Sequence, residues 1–119
     1  MISKRRNATQ NWYIYHKQAG LGYLIFTGGA FQAGNVPFND AVPTSSVVGA
    51  SSANVLSGSN YIYYCWHGVE GYSAFGKYNA NDNADGPFQY CGFRPRLLVI
   101  KKLVSGDGWG VLGIVTGKQ

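Results

Sequence analysis

The 119-residue chain has the length of one domain, few charged residues and many aromatic ones. Charged residues make up 13% of the sequence, hydrophobic residues 45% and aromatic residues 15%. This composition excludes a disordered chain, and no apolar run reaches the roughly 18 residues that a membrane span needs. It predicts a folded domain whose surface is rich in Ser, Asn, Thr, Gly and Tyr, which suits assembly into a larger structure.

The net charge of +5 comes from short basic clusters at residues 4–6, 94–96 and 101–102. No basic stripe on a helix is predicted, so we interpret these clusters as solvated groups and expect no nucleic-acid partner. Polar residues follow the first cluster where a secretory signal has an apolar segment. We therefore expect neither export through such a signal nor insertion into a membrane.

The first half of the chain predicts a basic arm followed by a hairpin. Residues 1–9 are expected to form a flexible basic arm, ahead of a single β-sandwich domain over residues 10–119. Sheet-forming residues predict strands at 11–16 and 23–26, and the Gly-containing turn between them makes the two a hairpin. A long loop with an edge segment is predicted over 30–46, and a weak strand is expected to begin at Val47.

The second half predicts further short strands between Gly- and Pro-rich turns. They are expected at 61–67, 72–78, 88–93, 97–103 and 109–115. The runs 61–66 and 97–100 are apolar throughout, which is typical of central strands covered on both faces. About seven or eight short strands and almost no helix pattern predict an all-β, single-domain antiparallel sandwich of the jelly-roll type.

The two cysteines, Cys65 and Cys91, both lie in aromatic, strand-like runs. They could form a disulfide across the sheet, or they could be two buried free thiols that act as small hydrophobic groups. Because no secretory signal is predicted, we favour the free thiols.

Few residues are suited to catalysis or to binding a metal. Glu70 is the best candidate for an acid, but a glycosidase needs a second carboxylate across the bond, and its neighbours Asp82 and Asp85 lie in a polar loop. His16 and His67 do not combine with the cysteines in a zinc-site spacing. We expect no enzymatic activity, no catalytic or metal-binding residue and no cofactor.

The loop over 79–86 has two interpretations. Asn81, Asn83, Asp85 and Gly86 match the first part of a calcium-binding loop, but Gly92 stands where that loop requires a bidentate Glu. The alternative is a turn in which Asn and Asp side chains hydrogen-bond to their own backbone. We favour the turn.

Exposed tyrosines and this polar loop are the predicted binding surface. Alternating side chains point to one face of a strand, so Tyr13 with Tyr15, and Tyr61 with Tyr63, can each project together. Tyrosine suits contacts with both sugars and proteins. The candidate binding residues are Tyr13, Tyr15, Tyr61, Tyr63, Asn79, Asn81, Asp82, Asn83 and Asp85. In contrast, Trp12, Tyr64, Trp66 and Trp109 are predicted to lie in the core.

An ordered series of motifs resembles a known module. It consists of N-W-Y-I-Y-H-K over 11–17, Y-I-Y-Y-C-W over 61–66, V-E-G-Y-S-A-F-G-K-Y over 69–78 and D-G-P-F-Q-Y-C-G-F-R-P over 85–95. The series is similar to a module of unassigned function in virion proteins of tailed phages, especially marine and cyanobacterial ones. That module often accompanies tail-fibre and concanavalin-like or laminin-G-like segments. In the last two motifs, glycines permit tight turns, and we expect Phe75, Tyr78, Phe88 and Phe93 to pack between them.

The resemblance implies a structural protein of the virion, made in the host cytoplasm, such as a tail-fibre or head-decoration domain. Its partners would be other virion proteins and a host-surface glycan, and it would form a homo-oligomer, a trimer if it is fibre-like. The resemblance supplies no catalytic residues. The alternatives are a carbohydrate-binding module that uses the paired tyrosines and the 79–85 loop, and a small glycoside hydrolase that uses Glu70.

Overall fold

The structure, a computed structural model, describes residues 1–34, 36–38, 41–51, 57–104 and 106–113. These residues form an all-β fold with antiparallel sheets and only two short 3₁₀ turns, at Lys17–Ala19 and Val36–Phe38. The strands are β1 (Ile2–Arg5), β2 (Tyr13–Ile14), β3 (Gly22–Ile25), β4 (Gln32–Ala33), β5 (Tyr61–Tyr64), β6 (Leu97–Lys101) and β7 (Trp109–Gly113). The predicted all-β class is confirmed, while the sandwich arrangement stays a prediction.

The strands belong to two sheets. The larger has the order β4-β3-β2-β1-β5, and the smaller is the hairpin of β6 and β7. The predicted hairpin of the first half is confirmed as β2 and β3, with Tyr13 opposite Ile25. Beyond Gly113 the predicted last strand continues outside the described residues.

The N-terminal residues are not the flexible arm that the sequence predicted. Residues 2–5 form β1, which lies inside the larger sheet between β2 and β5. The Met1 amino group donates to the Tyr15 carbonyl at 3.0 Å, and the Tyr15 N–H donates to the Met1 carbonyl at 2.9 Å. The sequence analysis missed this strand because it contains two basic residues and so resembles a solvated tail. Long cationic side chains can nevertheless cover a sheet with their alkyl stems while the charged end stays hydrated.

The apolar core among the described residues is small. Its buried hydrophobic side chains are those of Ile14, Tyr15, Leu24 and Phe38. Ile14 lies opposite Leu24 in the β2–β3 pair, and the Tyr15 and Phe38 rings meet edge to face with centroids 6.0 Å apart. The core therefore forms where the hairpin meets the second 3₁₀ turn.

Several predictions of strands and of buried strand positions are wrong. The segments 72–78 and 88–93 have no strand, and Val47–Gly49 has none either. The apolar runs are not central, because β5 lies at an edge of its sheet and β6 belongs to a two-stranded one. Alternating aromatic residues between glycines imitate a strand pattern, but glycine-rich backbone favours turns instead.

Aromatic side chains that the sequence placed inside are instead exposed. Trp12, Tyr64 and Trp66 are exposed, and Trp109 is half-buried. Within the glycine–aromatic motifs Phe75, Tyr78 and Phe88 are exposed too, while Phe93 is half-buried. The seven strands are too few and too short to cover this many rings.

The molecule has far more surface than a compact monomer. Its accessible surface is 8745 Å², whereas a compact monomer of this mass exposes about 6,300 Å². Its radius of gyration is 16.2 Å, against about 13.5 Å for a compact domain of this length. Across the residues that the structure describes, no helix has the length and apolar character of a membrane span.

Candidate functional site

Five aromatic rings form a continuous row across the larger sheet. In order they are those of Trp66, Tyr64, Trp12, Phe26 and Trp109, and successive centroids are 6.0, 6.5, 6.4 and 5.4 Å apart. All except the half-buried Trp109 are exposed. We call this surface the aromatic row.

Strand pairing explains how distant residues enter the aromatic row. β1 joins β2 to β5, which brings Trp12, the residue before β2, close to Tyr64. The indole N–H of Trp109 donates to the Ile25 carbonyl at 3.3 Å, so it ties β7 to the end of β3. The Lys4 ammonium group lies 5.5 Å from the centroid of the Trp12 ring, a cation–π contact.

The β6–β7 hairpin continues this apolar surface. Val99 is paired with Val111, and Lys101 with Trp109, so these residues share one face with Leu97. The exposed fractions are 64% for Leu97, 49% for Val99 and 62% for Val111. We call these three side chains the hairpin face, and it begins where the aromatic row ends at Trp109.

The loop that connects β6 and β7 is held by two contacts. The Phe31 N–H donates to the Leu103 carbonyl at 2.9 Å, and the Lys102 ammonium lies 3.2 Å from the Asp107 carboxylate in an exposed ion pair. Both contacts hold the loop end of the hairpin, so the hairpin face lies away from its attachment to the larger sheet.

Four tyrosines lie on one face of the larger sheet. Ser3 is opposite both Tyr13 and Tyr63, and by alternation Tyr61 and Tyr23 fall on the same face. The Tyr13 and Tyr23 rings meet edge to face with centroids 5.4 Å apart. Tyr13, Tyr23, Tyr61 and Tyr63, here called the tyrosine face, are half-buried. Three of them were predicted as binding residues, and Tyr23 was missed.

The hydroxyl groups of the tyrosine face are partly desolvated. Burial raises the pKa of Tyr13, and the nearby Tyr23 and Tyr61 phenols raise it further, against a hydrogen bond with the Gln10 side chain that lowers it. The Tyr63 hydroxyl is buried and has no hydrogen-bond partner within the described part of the chain. The hydroxyl groups of this face are therefore less accessible to water than those of a fully exposed surface.

Tyr15 does not belong to a binding surface, although the sequence paired it with Tyr13. It is 7% exposed and packs against Phe38. Strand β2 ends at Ile14, so the alternation that would have put Tyr15 beside Tyr13 does not extend to it. This candidate is corrected to a core residue.

The loop over 79–86 is a self-bonded turn, as favoured from the sequence. The Asn81 side chain donates to the Asp85 carbonyl at 2.9 Å, and its oxygen accepts from the Asn83 N–H at 3.3 Å. The Asn83 side chain accepts from the Asp85 N–H at 3.1 Å, and Asp82 has a φ of 51°. These side chains satisfy the turn's own backbone, and all four residues are exposed.

Asn79, the remaining candidate from this loop, lines an open cleft of about 540 Å³. The other lining residues are Gln18, Lys77, Tyr78 and Gln89. Three side-chain amides, an ammonium group and a phenol thus meet at one place, which we call the amide cleft. Gln18 comes from the first 3₁₀ turn and Gln89 from the region after the self-bonded turn. No motif links such distant amides, so no pattern in the sequence pointed to Gln18 or Gln89.

The titratable side chains are dispersed. Glu70 is exposed in a turn that is closed by hydrogen bonds between Val69 and Ser73, and the exposed His67 ring bonds the Gly68 carbonyl at 2.9 Å. Burial lowers the pKa of His16, helped by the positive charge of the Met1 amino group. No cluster of three or more His, Cys, Asp or Glu side chains occurs among the residues that the structure describes.

The cysteines are free, which agrees with the favoured interpretation. However, Cys65 is exposed and not buried as expected, because it follows the last residue of the edge strand β5. Cys91 is partly buried, and its thiol donates to the Phe93 carbonyl at 3.0 Å.

Comparison with known proteins gives one result. A family model described as a domain of unknown function, DUF7483, matches residues 1–114. No curated protein and no solved structure matches the chain. Since the match covers nearly the whole sequence, including every strand described above, the chain belongs to the DUF7483 family.

Proposed function

We propose that this chain is a structural protein of a tailed-phage virion that works through protein–protein contacts. The observation that carries the proposal is the continuous exposed apolar surface formed by the aromatic row and the hairpin face. The resemblance of the 69–78 and 85–95 motifs to a phage virion module supports the choice of particle.

The chemistry of this surface suits contact with protein. Monomeric soluble proteins rarely expose contiguous apolar patches beyond a few hundred Å², and larger ones mark interaction sites. The cores of protein interfaces are enriched in Tyr, Trp and Phe and poor in acidic residues. The aromatic row is made of such rings, and the Lys4 ammonium group contacts it at Trp12.

The proposal is tested by locating the chain in purified particles. Quantitative mass spectrometry of density-purified virions is expected to find this chain in a fixed number of copies per particle. Immunogold labelling then distinguishes tail from head. A high-salt wash of the particles is the control for adhering protein, and loss of the chain in that wash, or its absence from particles, would contradict the proposal.

The amide cleft favours a second candidate function, binding of a host-surface glycan. The cleft is open and its lining is mostly polar, which suits a shallow contact with a sugar and not the enclosure of an apolar ligand. Amides of Gln18, Asn79 and Gln89 offer both donors and acceptors to sugar hydroxyls, and Tyr78 offers an aromatic surface for the apolar side of a sugar ring.

A glycan array probed with the purified chain tests this second function. Tyr78→Ala and Gln89→Ala are each expected to reduce binding at least tenfold. Tyr72→Ala is the matched control, because Tyr72 is 80% exposed and lies outside the cleft. An array without hits, or equal losses in Tyr78→Ala and Tyr72→Ala, would rule out the amide cleft as the glycan site.

A further inference from the structure

We propose that the hairpin face is the surface through which this chain binds a second copy of itself. The inference rests on the proposed function, a protein that works through protein contacts, and it names the partner and the face. It concerns Leu97, Val99 and Val111 on the β6–β7 hairpin.

Among the residues that the structure describes, none covers the two faces of the hairpin. A two-stranded hairpin is at best marginally stable in water unless it packs against something else. Within the described part of the chain, the hairpin contacts the larger sheet at its loop end, through Trp109. The hairpin face is about half exposed or more, and on the opposite face Leu98 and Leu112 are exposed as well.

The area of exposed surface is sufficient for a contact between copies. The chain's accessible surface of 8745 Å² exceeds that of a compact monomer by about 2,400 Å². A standard protein–protein interface takes about 800 Å² from each partner. One such contact would remove about a third of this excess, so the chain has enough exposed surface for a contact of standard size.

The charge distribution indicates a copy of the same chain as the occupant. Two chains of net charge +5 repel one another, so a contact between copies has to avoid their basic groups. The hairpin face largely meets this condition: the one charged side chain of β6 and β7 is Lys101, at the loop end of β6, and its ammonium group donates to the Lys102 and Asp107 carbonyls of the connecting loop. The aromatic row does not, because Lys4 lies over Trp12 and would meet its own copy in a symmetric contact. Sheets with apolar faces pack readily face to face.

Light scattering over a range of protein concentrations tests the inference. The unmodified chain is expected to have the mass of an oligomer, and Val111→Lys is expected to weaken association at least tenfold, because it places a desolvated cation in the contact. Val47→Lys is the matched control, since Val47 is also 62% exposed but lies in a loop outside the hairpin. It is expected to leave the mass unchanged.

A second measurement avoids any dependence on how well the lysine variant folds. In a background of Cys65→Ser and Cys91→Ser, Val111→Cys is treated with a short bis-maleimide. We expect a covalent dimer of the full chain, and none from Val47→Cys in the same background. The yield is compared at two protein concentrations, because a specific contact crosslinks at concentrations where random collisions do not.

The inference is overturned if the unmodified chain is a monomer at all concentrations, or if Val111→Lys and Val47→Lys have the same oligomeric mass. It is also overturned if Val111→Cys crosslinks no better than Val47→Cys. These results leave the proposed function intact when the chain is found in purified particles. Conversely, a hairpin-dependent oligomer that is absent from particles supports the contact and contradicts the virion role.

Discussion

The side chain of His16 links the folded state to pH. Its Nδ1 accepts a hydrogen bond from the Gln18 N–H at 3.3 Å, at the start of the first 3₁₀ turn. Protonation would remove this acceptor, and burial already lowers the pKa of His16 below its usual value of 6.5. The folded chain therefore binds this proton less readily than the unfolded chain does.

We expect the free energy of unfolding to decrease as pH falls below 6.5, the usual histidine pKa, through the lowered pKa of His16. Asn accepts the same kind of N-terminal hydrogen bond without titrating, so His16→Asn should flatten this part of the pH dependence. Urea unfolding at pH 7 and pH 5 measures the effect. His67→Asn is the control, because His67 is exposed. An unchanged slope in His16→Asn would show that His16 is not the group responsible.

The hydroxyl group of Tyr63 is expected to affect the free energy of unfolding. It is buried without a hydrogen-bond partner in the described part of the chain, and leaving such a group unpaired costs about 1–3 kcal/mol. We expect Tyr63→Phe to raise the free energy of unfolding by about 1 kcal/mol, since the ring stays and the unpaired group is removed.

Denaturant unfolding of Tyr63→Phe is compared with Tyr13→Phe as the control. Tyr13 has a hydrogen bond with Gln10, so its loss should lower the stability by about 1 kcal/mol. Equal destabilisation by both variants would mean that the Tyr63 hydroxyl has a partner in solution.

At the level of single residues, the sequence predicted part of the site. Alternation along the strands placed Tyr61 with Tyr63 on one face, but it paired Tyr13 with Tyr15, which is buried. Only the pairing through β1 shows that Tyr13 shares a face with Tyr61 and Tyr63. The amide cleft was not predictable, because Gln18 and Gln89 meet through loops and loop geometry carries no periodic signal. The core prediction for Trp12 and Tyr64 failed because hydrophobicity says nothing about whether a chain has enough structure to cover its rings.

Among the elements, β3 depends on a glycine. Gly22 is buried opposite Ala33, and a Cβ atom there would collide with the Phe31 ring and the Gln32 carbonyl. Because the Gln32 backbone belongs to β4, the collision cannot be relieved by a side-chain rotation alone.

We expect Gly22→Ala to lower the free energy of unfolding by about 2 kcal/mol, as overpacking of a close contact does. Gly86→Ala is the matched control, because no atom lies within 4 Å of the corresponding Cβ position. Thermal unfolding followed by circular dichroism measures both variants. Equal stability of the two would mean that β3 and β4 are further apart than the structure has them.

Strand prediction succeeded where alternation, sheet-forming residues and a turn coincided, as in the β2–β3 hairpin. It failed for β1, whose Lys4 and Arg5 resemble a solvated tail although the backbone is paired on both sides. At 72–78 it predicted a strand where there is none: the aromatic residues alternate, but no neighbouring strand pairs with the segment. Pairing partners decide whether an extended segment becomes a strand, and a local pattern does not contain them.

For the whole molecule, association and stability should be coupled. If the hairpin face is covered by a second copy, the assembled state is stabilised by mass action. The melting temperature of the unmodified chain is therefore expected to rise by several degrees over a hundredfold increase in protein concentration.

Differential scanning calorimetry at several concentrations measures this shift. Val111→Lys should melt at a temperature that does not depend on concentration, while Val47→Lys should behave like the unmodified chain. A concentration-independent melting temperature for the unmodified chain would indicate that its large exposed surface is not covered by copies of itself.

The position of β1 has a consequence for the order of folding. β1 lies between β2, which follows closely in sequence, and β5, which begins only at Tyr61. During synthesis the β1–β2–β3 meander can pair early, but the outer side of β1 stays unpaired until residues 61–64 have left the ribosome. Contacts between such distant segments form slowly because the intervening chain must first be closed into a loop. For that interval the nascent chain has an open strand edge beside an exposed Trp12, which is where a chaperone would bind and where premature pairing between neighbouring chains would start.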